Sequence, residues 1–102
     1  MPDTQPPLTE AAQLNTWYVY VVECGDGTYY TGITTDIERR LTEHNSSSLG
    51  ARYTRSRRPV RLHYHETSSS RSAALKRELQ IKKLSRRNKR LLASPIQINA
   101  AG

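Results

Sequence analysis

A chain of 102 residues with one Trp, six Tyr, no Phe and 35% apolar residues has material for one small core, hardly for two. Its formal net charge of +7 is regional: residues 1–34 hold four acids and no Lys or Arg, whereas residues 35–102 hold all 16 basic residues against five acids, giving −4 and +11. No apolar run approaches bilayer length, no basic leader with an apolar core opens the chain, and the single Cys24 excludes an internal disulfide and a thiolate zinc cage. No membrane contact is therefore expected, and the expected compartment is the cytoplasm.

Residues 1–15 carry three prolines and no hydrophobic period, which predicts a flexible N-terminal arm. WYVYVVE (17–23) is rich in aromatic and β-branched residues, and the Asp26-Gly27 pair suits a tight turn before TYYTGI resumes strand character. A β-hairpin is predicted. Thr35-Asp36-Ile37-Glu38 matches a capping box, so a helix should start near Thr35 and run through His44 until Asn45 and the serine run end it. SSSLGARYTRSRRP reads as a basic loop stopped by Pro59, and VRLHYHE (60–66) alternates as a third strand. Serines 68–70 can cap a helix over SAALKRELQIKKL, and Ser85 can cap another over RRNKRLL. The order is β-β-α-β-α-α. It predicts an α+β fold, a three-stranded and mainly antiparallel sheet flanked by helices, with one domain over 16–92 and a tail over 93–102.

At about 100° per residue, Ile37 and Leu41 line the core side of the first helix while Arg40 and His44 border that stripe, which aims both toward the sheet. An arginine at such an edge either snorkels or serves a cleft, and a histidine at a helix end either serves the carbonyl dipole or joins a site. In the second helix Ala74, Leu75, Leu79 and Ile81 define an apolar arc with Glu78 near its middle. A buried carboxylate needs a cation, because leaving it unpaired costs several kcal/mol. The partner is either a base such as Arg40 or Arg77, or a metal; Mg²⁺ can be held by one carboxylate with water and substrate phosphate. Cys24 is expected to fill a strand end. His63 and His65, two apart on a strand, are expected to face one side as an ordinary surface pair.

These features resemble the GIY-YIG nuclease family, in particular its small stand-alone bacterial branch. The resemblance rests on Tyr18-Val19-Tyr20, on Tyr30-Thr31-Gly32 ten residues later at the tyrosines, on Arg40 with His44 four residues on, and on Ala74-Leu75-Lys76-Arg77-Glu78, and it runs from about residue 16 to 92. Tyr18 stands where the family has Gly and Thr31 where it has Ile. Asn88 lies near the place where many members carry an Asn. The resemblance implies phosphodiester hydrolysis with a divalent cation, Mg²⁺ or Mn²⁺, held by Glu78. It implies Arg40 as the group that neutralises phosphate charge, Tyr30 with Tyr20 beside it as the group that orients or deprotonates water, and His44 either tuning that tyrosine or sharing the base role.

Twelve of the 16 basic residues are Arg, whose planar fork grips phosphate and stacks on bases. Nucleic acid is the partner such a footprint fits. Arg52, Tyr53, Arg55, Arg57 and Arg58 interleave an aromatic with cations in one loop, a composition suited to stacking on exposed bases, and Arg39 adds charge on the first helix. The domain has no room for a separate duplex-reading module, so single-stranded or otherwise flexible DNA is favoured as substrate; RNA stays open. The alternative expectation is a module on the same fold that binds nucleic acid without cutting it. Oligomeric state is not legible.

Overall fold

In the computed structural model residues 16–93 are described; the expected arm and residues 94–102 of the expected tail lie outside the described residues. The β-branched and aromatic run becomes β1 (Trp17–Glu23), which pairs antiparallel with β2 (Tyr29–Thr34) on one side and with β3 (Arg61–Ser68) on the other, giving the order β2-β1-β3. The hairpin turn has the chemistry its residues predict. Gly27 takes a φ of 85°, which costs a glycine nothing, and the Asp26 carboxylate accepts from the Thr28 backbone N–H at 3.1 Å and hydroxyl at 2.6 Å.

As the central strand, β1 is covered on both faces. Val19 and Val21 pack with Ala74 and Ile81 of α3 (Arg71–Lys82), while Tyr20, Val22, Cys24 and Val60 build a second cluster on the opposite face with Leu41 of α1 (Ile37–Ser46). Two small cores thus replace the single core that composition suggested. Cys24 fills the strand end, as expected.

Local boundaries depart from expectation at three places. First, α1 is capped by Asp36 rather than by Thr35: its carboxylate accepts from Arg39 N at 3.0 Å, and Thr34 in turn accepts from Asp36 N at 3.1 Å. Second, the basic loop contains a single helical turn, α2 (Arg52–Arg55), which has no side-chain cap and so left no start signal. Third, β3 is bulged between the partners of Val21 and Val22, with His63 as the extra residue. A bulge turns two neighbouring residues to one side, so His63 and Tyr64 both face α3 and α4 (Arg86–Leu91), whereas His65 faces the other way. His63 lies on Tyr29 and against the α4 carbonyls, and His65 lies against Tyr18. The expectation that the two histidines share a side is therefore wrong.

Ser70 and Ser85 cap α3 and α4, as their positions predict. The apolar arc of α3 is narrower than expected: Ala74 and Ile81 are fully buried, but Leu79 is 59% exposed. Glu78 sits between these two buried residues, four after Ala74 and three before Ile81, with only 14% of its side chain exposed.

Candidate active site

Tyr20 reaches the site by crossing the edge strand above a glycine. A Cβ on Gly32 would lie 2.5 Å from the Tyr20 hydroxyl oxygen, so the glycine of the second triplet makes way for the phenol of the first. That hydroxyl lies 2.7 Å from Nε2 of His44, which α1 delivers fully buried. On the other side of the imidazole, Nδ1 is 2.8 Å from the hydroxyl of Thr54, itself fully buried in α2, and Thr54 donates to the Ala51 carbonyl at 2.9 Å. Protons can run one way through this chain, from Tyr20 O–H to Nε2 and from Nδ1–H to Thr54 and on to Ala51. The opposite tautomer, with the Ala51 N–H 3.4 Å from Nδ1, reverses the first two links.

Burial pushes the Tyr20 phenol up to about 12; hydrogen bonding and charge from Arg40 oppose the rise, and Tyr30 and Glu78 add to it. His44 is driven down to about 4 by burial first and then by the Arg40 charge. Both groups are neutral at physiological pH. Burial works against the charge on Arg40, but Glu43 and Tyr20 outweigh it and hold the guanidinium above its usual value. Its Nη1 donates to Glu43 at 2.9 Å and to the Leu49 carbonyl at 2.7 Å, and a quarter of the side chain stays open.

Tyr30 sets its ring against His44 edge-on, with centroids 5.4 Å apart, and stacks on Tyr53 at 5.9 Å; the guanidinium of Arg57 lies over the Tyr53 ring at 3.8 Å. A layered ramp of Arg57, Tyr53 and Tyr30 thus leads to the buried histidine. Arg57 is fixed there by Asp26 at 3.1 Å and by the Tyr53 carbonyl at 2.9 Å. Arg58 is spent differently from the loop role expected of it: it donates to the carbonyls of His44, Glu43 and Ser47 and so closes the end of α1. Arg52 and Arg55 are exposed, and Arg39, 58% exposed, makes only a loose 3.8 Å pair with Glu43.

Glu78 is carried by α3, and its charge adds to the upward shift of the Tyr20 phenol. Its ion-pair partner is neither Arg40 nor Arg77 but Lys82, one helical turn on, at 3.3 Å; Arg77 pairs with Glu66 at 2.8 Å. No group of three or more metal-ligating side chains occurs among the described residues. A single shielded carboxylate does fit Mg²⁺ or Mn²⁺, which can keep water and substrate oxygens as their other ligands. Asn88 lies in the first turn of α4, exposed, with its backbone N–H on Ser85. The sequence reading missed Thr54 and Glu43, the residues that orient His44 and Arg40. Thr54 sits in the uncapped turn that no periodicity marks, and Glu43 reads as an ordinary helix-surface acid.

Residues 16–91 match the GIY-YIG catalytic domain. A UPF0213 protein of Desulfotalea psychrophila is 67% identical over 76 residues, which cover 74% of this chain and 69% of that protein. A UPF0213 protein of Halobacterium salinarum is 56% identical over 75 residues, covering 74% of this chain and 96% of that protein. Among solved structures, the solution NMR structure of a protein from E. faecalis is 44% identical and superposes with a TM-score of 0.55 over 81% of this chain and 88% of that one.

Proposed function

The chain belongs to the GIY-YIG family, among the small UPF0213 proteins, and from that premise we propose that it is a metal-dependent endonuclease acting on single-stranded or flexible, structured DNA. One observation carries this reading: the Tyr20 phenol of the hairpin is bonded to a buried His44 of α1 at 2.7 Å and lies within electrostatic reach of Arg40 and of Glu78 on α3.

In this reading Glu78 holds the divalent ion, and a bound Mg²⁺ or Mn²⁺ supplies Lewis-acid polarisation of the scissile phosphate. Arg40 lies against the phosphate and offsets its growing negative charge, which its partners Glu43 and Tyr20 keep it equipped to do. Tyr20 is protonated at neutral pH, so it cannot take a proton from water unless it gives one up. His44, held down to about 4, is too weak a base to take that proton, so Tyr20 acts as a hydrogen-bonding group set by Nε2 of His44, and Thr54 steadies the ring through Nδ1. Tyr30 orients the attacking water, and the Tyr53 and Arg57 layer receives a neighbouring base.

The test uses labelled single-stranded, branched and duplex oligonucleotides with Mg²⁺ or Mn²⁺ and with EDTA. Cleavage is expected only with metal, fastest on single strands. Glu78→Ala and Arg40→Ala should each reduce it by about 100-fold or more while affinity stays within about threefold. Wild-type protein that binds every strand and cuts none would replace the nuclease with the binding-only module.

A further inference from the structure

The densest positive charge in the chain is not at the pocket. Residues 82–90 hold six basic residues and no acid. Three of them, Arg86, Arg87 and Arg90, line a groove of about 370 Å³ with Glu23, Gly27 and Tyr29. The one acid there, Glu23, is neutralised by Arg61 at 2.9 Å. Arg87 and Arg90 are exposed, and neither has an acidic partner among the described residues.

The helix that carries these cations is fixed in place. Ser85 caps it, the Nε2 of His63 lies 3.1 and 3.0 Å from the Lys89 and Arg90 carbonyls, and Arg86 donates to the Gly27 carbonyl at 2.8 Å. Such a surface presents its charge without first ordering it. The same hairpin turn is bonded on its other flank to the candidate site, because Asp26 holds Arg57, Arg57 covers Tyr53, and Tyr53 stacks on Tyr30. The turn therefore joins the aromatic ramp to the α4 groove.

Resting on the nuclease reading above, we infer that this groove is a second nucleic-acid contact, where a strand leaving the pocket over Tyr53 crosses the hairpin turn and lays its phosphates against Arg86, Arg87 and Arg90. The groove offers charge and no base-sized aromatic stack beyond Tyr29, so it grips backbone without reading sequence. It makes the protein favour long strands over short ones.

Fluorescence anisotropy in EDTA, where no strand is cut, tests this with oligonucleotides of about four and about twenty nucleotides. The double substitution Arg87→Ala, Arg90→Ala should weaken the long strand about 10-fold and leave the short one unchanged. It should also flatten the salt slope by about 1.4, two phosphates at about 0.7 each for a single strand. Arg87→Lys with Arg90→Lys should keep the slope. Unchanged binding of the long strand, or an equal loss at both lengths, overturns the groove alone. Wild-type protein that binds neither strand overturns the nuclease reading and the groove with it. Loss of binding to phosphatidylserine vesicles in the double variant, with strand binding intact, reassigns the groove to a membrane surface.

Discussion

At His44 burial and a neighbouring charge act in the same direction, and the result is an imidazole that stays neutral far below the usual pH. Its folded value near 4 lies below the unfolded value of about 6.5. Between these the unfolded chain binds a proton that the native protein does not, so stability is fully present above about pH 6.5 and is lost as pH falls toward about 4. The loss should reach up to about 1.4 kcal/mol per pH unit. Urea denaturation at a series of pH values should show this slope in the wild type and not in His44→Gln; identical profiles would refute it. Thr54 acts one bond further out. Thr54→Val should lower kcat by about 10- to 100-fold through the lost ring orientation, shift the acidic limb of the pH–rate profile, and leave KM within about threefold, with Thr54→Ser restoring all three. A variant that merely unfolds more readily would leave the pH profile in place.

Among the elements, α1 depends on its C-terminal end, where carbonyls without helical partners must find donors. Arg58 supplies these from across the loop, and Gly50 allows the chain to pass: a Cβ there would lie 2.7 Å from the Glu43 carbonyl oxygen. Arg58→Ala should destabilise the fold by about 1–3 kcal/mol in urea denaturation while changing strand affinity less than about threefold. The reverse pattern would restore Arg58 to substrate binding. The elements themselves were legible because strand composition, the Asp-Gly turn and the serine caps are local signals. The shared face of Arg40 and His44 was legible for the same reason, since a four-residue spacing on a helix fixes it. What escaped was non-local. The turn that carries Thr54 has no cap, the partner of Glu78 depends on how α3 packs, and the bulge at His63 breaks an alternation that looks unbroken when read along the strand.

For the molecule as a whole, charge and scaffold are kept apart. Every Lys and Arg lies at or beyond residue 39, so both strands of the hairpin are free of them, and Arg57 just after α2 and Arg86 of α4 bond its turn. The hairpin, whose only charged residues are Glu23 and Asp26, provides rigidity, and the surrounding segments provide attraction for a polyanion. No helix among the described residues is long and apolar enough to cross a membrane. With apolar material this scarce, the fold divides it between the two faces of one sheet.

That division depends on the spare residue in β3. Under strict alternation Leu62 and Tyr64 would share a face, stocking one core twice and leaving the other short of a leucine. The insertion shifts the phase between them, so that Leu62 joins Tyr20 and Val22 while Tyr64 joins Val19 and Val21. A single outer strand thereby provisions both compartments, and excising its surplus position would overfill one and hollow out the other, directly beneath the Tyr20 phenol.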